Sequence, residues 1–227
     1  DALRAACPAV CSVILNTNAK KTNVLLGASC RTLWGTDTIT DRLGGILVTL
    51  SPLSFYQINR AGAERLYAVA ADYAGLTGKE LLIDLYCGAG TIGLSLANKA
   101  AQLIGVEIVP EAVEDAIRNA AANGITNARF LCADAGEAAR QLEKEGLHPD
   151  VIILDPPRKG CDAAVINTAV RMAPKRIVMV SCDSATAARD IAAFEKLGYK
   201  AEKAQTVDMF PRTAHVETVV LMSRVEK

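Results

Sequence analysis

The hydrophobic pattern of the chain changes near residue 60. Before that point, short apolar or alternating runs predict strands over 10–15, 22–26, 31–33 and 46–50. The polar stretch between the first two runs predicts a hairpin, and Gly44-Gly45 predicts a turn before the last. Beyond residue 60, longer helical patterns alternate with short apolar runs. We therefore predict a β-rich lobe over 1–60 and an α/β domain over 61–227.

The α/β region consists of repeated strand–helix units. Strands are predicted over 81–85, 103–106, 128–131, 151–154 and 176–180. Helices are predicted over 61–73, 92–100, 111–123, 135–145, 163–172 and 184–197. This order predicts a Rossmann-like, doubly wound parallel sheet. Two final strands, near 200–208 and 217–222, have no helix between them and should pair antiparallel. Such an ending is typical of the seven-stranded methyltransferase sheet, since a dehydrogenase sheet ends on another strand–helix unit.

A glycine-rich segment follows the first strand of this region. It reads Asp84-Leu-Tyr-Cys-Gly88-Ala-Gly-Thr-Ile-Gly93, and its three glycines have the spacing of the dinucleotide fingerprint. Glu107 ends the next strand, where a dehydrogenase would bind the ribose of NAD. The carboxylate of Asp84 favours a different ligand, because it repels a pyrophosphate and attracts the positively charged amino-acid end of S-adenosylmethionine. The dehydrogenase interpretation remains the alternative.

The predicted cofactor is therefore S-adenosylmethionine. Asp84 and Gly88 would contact it from the glycine-rich segment, and Glu107 would accept hydrogen bonds from both ribose hydroxyls. Asp134, which follows the third strand, would lie beside the adenine amine.

Composition narrows the class of protein. The 25 basic and 25 acidic residues give a net charge of zero, so a nucleic-acid partner would need a local basic patch or another domain. The chain has no run of eighteen apolar residues, and we expect no membrane span. Seven cysteines without Cys-x-x-Cys spacing and only two histidines argue against disulfides and a metal site. We expect a cytoplasmic monomer.

Three segments carry reactive side chains after predicted strands. Cys182 follows the strand 176–180, where a cysteine serves either for packing or as a nucleophile. Asp155 begins Asp155-Pro-Pro-Arg-Lys-Gly160, and Glu217 lies in the last predicted strand. A thiol and two carboxylates could support covalent catalysis with a proton transfer. Arg158 stands where methylation of a base amine would use a stacking aromatic residue, so the pattern favours methylation of a ring carbon.

These segments, with Asp208–Thr218 and Ser51–Asn59, resemble the signature blocks of the RNA uracil-C5 methyltransferase family. The similarity begins near residue 10 and covers the rest of the chain. It implies that Cys182 adds to C6 of uracil and that Glu217 removes the C5 proton. It further implies cofactor contacts from Gln57, Tyr86, Thr91, Glu107 and Asp155. Two residues are candidate substrate contacts: Arg158, and Phe55, which could either stack on the target base or pack in the core.

The resemblance also implies an RNA partner. The block 20–27 resembles the branch that acts on 23S ribosomal RNA, so we expect ribosomal RNA, with transfer RNA as the alternative. A catalytically silent RNA-binding relative is the non-enzyme alternative. Many family members have Asn-Pro where this chain has Asp183-Ser184. They usually carry an N-terminal RNA-binding barrel as well, and this chain starts without Met, so we expect it to be part of a longer protein.

Overall fold

A computed structural model describes residues 1–21, 25–27 and 29–225. Its strands are β1 Ser12–Thr17, β2 Ser29–Gly35, β3 Ile39–Leu43, β4 Ile46–Leu50, β5 Leu81–Leu85, β6 Gln102–Glu107, β7 Ala128–Cys132, β8 Val151–Leu154, β9 Arg176–Ser181, β10 Tyr199–Val207 and β11 Glu217–Arg224. Its α-helices are α1 Ala2–Ala6, α2 Arg60–Ala74, α3 Thr91–Leu96, α4 Pro110–Ala122, α5 Ala135–Lys144, α6 Ala163–Arg171 and α7 Ser184–Lys196. None of the helices in these ranges is long and apolar enough to cross a membrane.

Seven strands form the central sheet in the order β10-β11-β9-β8-β5-β6-β7. The five strands from β5 to β9 are parallel, and β11 runs antiparallel between β9 and β10. This arrangement confirms the predicted seven-stranded sheet and its closing antiparallel pair. Because β11 is antiparallel, its first residue, Glu217, lies at the edge where the parallel strands have their carboxyl ends.

Helices cover both faces of the sheet. Successive residues of a strand point to opposite faces. Accordingly, Leu82 of β5 belongs to a hydrophobic cluster with α2, whereas Ile83 belongs to a second cluster with α5, α6 and α7. The first long helix, α2, extends one residue beyond the predicted range at either end, and Gly75 follows it in the left-handed conformation with φ of 54°.

The N-terminal region forms two separate antiparallel pairs. β1 pairs with β2, and residues 25 and 26 of the predicted strand 22–26 belong to no strand. Residues 22–24 of that prediction lie outside the described residues. β3 pairs with β4 across the predicted Gly44-Gly45 turn, and the sequence pattern did not identify β3 or α1. Leu43 and Val48 of this pair join the hydrophobic cluster of α2. The domain boundary at residue 60 stays a prediction.

Candidate active site

Four reactive side chains come from neighbouring strands at one edge of the sheet. Asp84 is the penultimate residue of β5, Asp155 follows β8, Cys182 follows β9 and Glu217 begins β11. These strands are adjacent in the order β11-β9-β8-β5. Ligand crevices of open α/β sheets form at this edge. The sheet therefore brings together residues that span most of the α/β region of the sequence.

Asp84 is a buried carboxylate with one oxygen in use. Its Oδ2 accepts a hydrogen bond from the Gly93 N–H at 2.9 Å, and its Oδ1 is buried with no partner among the described residues. Burial raises the pKa of Asp84 to about 7, and the charge of Glu107 acts in the same direction. An unpartnered buried oxygen at the edge of a crevice is suited to a ligand that brings a donor or a positive charge.

The glycine-rich segment holds its shape through close backbone contacts. Gly90 precedes α3 with φ of 81°, a conformation that side chains disfavour. A Cβ atom at Gly93 would lie 2.8 Å from Oδ2 of Asp84, so only glycine permits this approach. Tyr86 also has a positive φ, of 67°, which is strained for a residue with a side chain.

Glu107 ties the glycine-rich segment to the loop after β6. One carboxylate oxygen accepts from the N–H of Gly88 at 3.0 Å, and the other accepts from the N–H groups of Ile108 and Val109 at 2.8 and 2.9 Å. The sequence interpretation assigned Glu107 to a ribose and did not foresee these bonds. Its contact with ribose hydroxyls stays a prediction.

A pocket lies between the glycine-rich segment and the segment before α2. It is lined by Phe55, Tyr56, Gln57, Tyr67, Asp84, Tyr86, Cys87, Gly88, Ala89, Thr91, Ile92 and Asp155. Seven of the predicted site residues thus share one cavity. A larger, open groove at the opposite end of the sheet, between Gly75, Arg176 and Arg224, contains none of them.

Tyr67 is a pocket residue that the sequence interpretation missed. It lies on α2, it is 5% exposed, and its hydroxyl is 2.7 Å from Oγ1 of Thr91. In the sequence it fits the apolar face of an amphipathic helix, so no local signal distinguishes it from a core residue. Phe55, in contrast, is 71% exposed at the mouth of the pocket, where an aromatic ring could meet a base.

Asp134 lies apart from the pocket and caps a helix. Its Oδ1 accepts from the N–H groups of Gly136 and Glu137 at 2.9 and 3.3 Å at the start of α5. The side chain is exposed after β7, the edge strand of the sheet. Asp134 does not line the pocket described above, and its contact with adenine stays a prediction.

Cys182 is partly buried beside acidic groups. Burial raises the pKa of its thiol, and the charges of Glu217 and Asp155 raise it further, whereas Arg158 lowers it. Glu217 is 5% exposed, and burial raises its pKa against the opposing effect of Arg158. Burial together with Glu217 and Asp84 raises the pKa of Asp155 to about 8. Arg158 is therefore the cation that stabilises the charged forms of both Cys182 and Glu217.

The loop that carries Arg158 is held by α7. Oδ2 of Asp190 accepts from the N–H of Cys161 at 2.8 Å, and the Arg189 guanidinium donates to the Lys159 carbonyl at 2.8 Å. Asp190 is 2% exposed. The sequence pattern did not identify the structural role of this Arg-Asp pair.

The turn after Cys182 explains how Asp183-Ser184 can replace Asn-Pro. Asp183 is the N-cap of α7, and its side chain accepts from the N–H of Thr186 at 2.8 Å. Asn and Asp are equally good N-caps, and the next position favours proline without requiring it, since the N–H there has no partner within the helix. The substitution therefore preserves the cap of the helix that follows the thiol.

No group of three or more His, Cys, Asp or Glu side chains within 1–21, 25–27 and 29–225 is arranged to hold a metal ion.

Residues 46–225 match the family model described as tRNA (Uracil-5-)-methyltransferase. An uncharacterized RNA methyltransferase of Bacillus cereus is 51% identical over 97% of this chain and 48% of its own length. Another, of Clostridium acetobutylicum, is 48% identical over 95% of this chain and 47% of its own length. The chain thus spans about half the length of the curated relatives it matches.

Solved structures with the same fold include a transfer-RNA enzyme. The Pyrococcus abyssi tRNA (uracil-54, C5)-methyltransferase, in complex with S-adenosyl-L-homocysteine, aligns with a TM-score of 0.79 and 32% identity. The alignment covers 93% of this chain and 50% of that one. The M. jannaschii tRNA m1G37 methyltransferase aligns with a TM-score of 0.63 at 17% identity, over 87% of this chain and 61% of that one, and shares the fold.

Proposed function

The chain belongs to the tRNA (uracil-5-)-methyltransferase family, and we propose that it methylates C5 of uridine in RNA through a covalent bond from Cys182. The observation that carries this proposal is the convergence of Cys182 and Glu217 at the carboxyl edge of the sheet, beside the pocket of Asp84 and Asp155. A ring carbon is not basic, so methylation there needs a nucleophile to activate the ring and a base to remove a proton.

The cofactor is S-adenosylmethionine, and the residues of the pocket fit it. Asp84 and Asp155 are carboxylates whose pKa values burial raises to about 7 and about 8, so a cationic ligand would favour their charged forms. The unpartnered Oδ1 of Asp84 offers an acceptor to an ammonium group. The S-adenosyl-L-homocysteine complex of the P. abyssi relative supports the same assignment.

The cofactor supplies an electrophilic methyl group on its sulfonium. The thiolate of Cys182 would add to C6 of uracil and shift electron density to C5. C5 would then take the methyl group, and S-adenosylhomocysteine would leave. Glu217 then removes the C5 proton, and the C6–S bond breaks to restore the C5–C6 double bond and the Cys182 thiolate. The raised pKa of Glu217 suits a carboxylate that must accept a proton.

The Cys182 thiol must lose its proton before it can add to uracil. Burial and the neighbouring carboxylates oppose this loss, and Arg158 favours it. A cation beside Asp155 would relieve part of the opposing charge, because Asp155 is one of the groups that raise the pKa of the thiol. Cofactor binding and activation of the thiol are therefore coupled in this proposal.

We place ribosomal RNA first among the substrates, because the block 20–27 resembles the branch that acts on 23S ribosomal RNA. Residues 22–24 of that block lie outside the described residues. Transfer RNA is the second candidate, and the similarity to the P. abyssi enzyme favours it.

Mass mapping of 5-methyluridine in RNA from cells with and without the full-length gene tests the proposal. We expect one uridine of ribosomal RNA to lose its methyl group in the deletion strain and to regain it on complementation. Loss from transfer RNA would establish the second candidate. Unchanged 5-methyluridine in both RNAs would contradict the proposed activity, and tighter binding of a nicotinamide dinucleotide than of S-adenosylhomocysteine would favour a dehydrogenase.

A further inference from the structure

Helix α4 and its C-cap residue carry a stripe of three polar side chains that we call the α4 stripe: Asp115, Asn119 and Asn123. Their spacing of four residues puts them on one face of the helix. Asp115 and Asn119 are fully buried. Buried polar groups at this spacing need partners, and the partners lie in the strand β4 and the segment that follows it.

The side chains of the α4 stripe bind backbone N–H groups that a neighbouring strand would otherwise bind. Among the described strands, β4 pairs only with β3, which leaves its other edge free. The N–H groups of Leu47, Thr49 and Ser51 along that edge donate to Asn123, Asn119 and Asp115 at 2.8, 2.7 and 2.6 Å, in that order. The spacing of the stripe along the helix matches the spacing of the N–H groups along the strand edge. Four helical residues rise about 6 Å, and two strand residues rise about 6.6 Å.

Asn119 makes a second bond that leaves this ladder. Its Nδ2 donates to the carbonyl of Ala89 at 3.1 Å, in the middle of the glycine-rich segment. One buried amide therefore joins the edge of β4 to the wall of the pocket. A side-chain amide is suited to this place because it offers an acceptor and a donor together.

Asp115 fixes the other wall of the same pocket. Its carboxylate accepts from the hydroxyl groups of Ser51 and Ser54 at 2.7 and 2.6 Å, and it is paired with Arg118. Phe55 and Gln57, which line the pocket, follow directly in the chain. The α4 stripe thus contacts both the glycine-rich segment and the segment that faces it.

We propose that Asn119 is a positioning residue for cofactor binding. Its side chain holds the carbonyl of Ala89 at a fixed distance from the N–H of Thr49. The two walls of the pocket therefore stay at the separation that the cofactor needs. This inference rests on the proposed function, because it takes S-adenosylmethionine as the ligand of the pocket.

The stripe itself offers a matched control. Asn123 donates to the carbonyl of Leu47 and accepts from its N–H, at 2.7 and 2.8 Å, as Asn119 does between Ala89 and Thr49. Its side-chain bonds reach β4 and the carbonyl of Asn119, not the glycine-rich segment. Asn119→Asp keeps the acceptor for Thr49 but replaces the donor to Ala89 with an oxygen. Asn123→Asp makes the same chemical change away from the pocket.

Calorimetry with S-adenosylhomocysteine, together with thermal unfolding, tests the inference. We expect Asn119→Asp to weaken binding about tenfold, the effect of losing one buried hydrogen bond. Asn123→Asp should bind S-adenosylhomocysteine with an affinity within about threefold of wild type. Its melting temperature should fall by about as much as that of Asn119→Asp. Equal affinity losses in both variants would assign Asn119 a purely structural role and overturn the inference.

Amide hydrogen exchange on the wild-type chain gives a second measurement that needs no variant to fold. S-adenosylhomocysteine should slow exchange of the Thr49 N–H, which is bonded to Asn119, and an unchanged rate would contradict the inference. Absence of any binding by wild type would overturn the proposed function and this inference with it. Equally tight binding by wild type and Asn119→Asp would overturn the inference alone.

Discussion

Thr218 of β11 lies directly opposite Ser181 of β9 in the antiparallel pair. The residues that come next at that end are Glu217 and Cys182, which are 35 positions apart in the sequence (217 minus 182). The register of one strand pair therefore brings a buried carboxylate beside a thiol. The charge of Glu217 raises the pKa of the thiol, so the protonation of one group depends on the charge of the other.

Glu217→Gln should trap a covalent complex. The amide cannot accept the C5 proton, so the Cys182–C6 bond should form and persist while turnover falls by about 10²–10⁴-fold. The complex should appear as a slow band with RNA on a denaturing gel. Cys182→Ala should abolish both the band and methyl transfer with nearly unchanged affinity for S-adenosylhomocysteine. Normal turnover in Glu217→Gln would exclude Glu217 as the terminal base.

Arg158→Gln should make Cys182 less reactive at neutral pH. Arg158 lowers the pKa of the thiol, so its removal should raise that pKa and shift the pH profile of alkylation toward higher pH. Iodoacetamide labelling, quantified by mass spectrometry of the Cys182 peptide, measures the shift. Lys159→Gln is the control, since this neighbouring cation is not among the groups that shift the thiol. Identical profiles for the two variants would contradict the role of Arg158.

Binding of a cation should depend on the carboxylates of the pocket. The pKa values of Asp84 and Asp155 are raised to about 7 and about 8, so these groups lose their protons as the pH rises through this range. S-adenosylmethionine carries a sulfonium charge that S-adenosylhomocysteine lacks. We expect its affinity, relative to that of S-adenosylhomocysteine, to increase several-fold between pH 6 and pH 8. A flat ratio by calorimetry would argue against charge complementarity in the pocket.

Asp84→Asn should stabilise the fold at neutral pH and weaken cofactor binding. The pKa of Asp84 is raised on folding from 3.8 to about 7, so the folded state favours the protonated form. Stability should therefore fall in wild type as pH rises from about 4 to about 7, by on the order of 4 kcal/mol, and level off above that. The variant should lack this decline. Denaturant unfolding at pH 4, 5.5, 7 and 8.5 measures it, and parallel pH profiles would contradict the expectation.

The α/β region shows how much a sequence determines locally. The strands β5 and β8 lie at the predicted bounds 81–85 and 151–154, and α2 and α7 agree within one residue at either end. These elements have strong period-two or helical patterns, and those patterns report which face of an element is buried. Reactive residues at the ends of such strands could be identified for the same reason.

The hydrophobic pattern did not predict the N-terminal strand pairs, β1 with β2 and β3 with β4. The strand β3 itself was not predicted from the sequence pattern. Short strands with exposed faces have weak alternation, and their pairing depends on which edges come together in the fold.

The sequence by itself determined the doubly wound sheet, the strand ends that carry Asp84, Asp155 and Cys182, and the resemblance that named the family. Only the tertiary structure decided that Asn119 joins β4 to the glycine-rich segment and that Asp190 holds the loop of Arg158. The physical reason is that a polar residue on a helix looks the same in a sequence whether it faces water or a buried backbone group. Its partners lie far along the chain, and only the packing of whole elements brings them within hydrogen-bond distance.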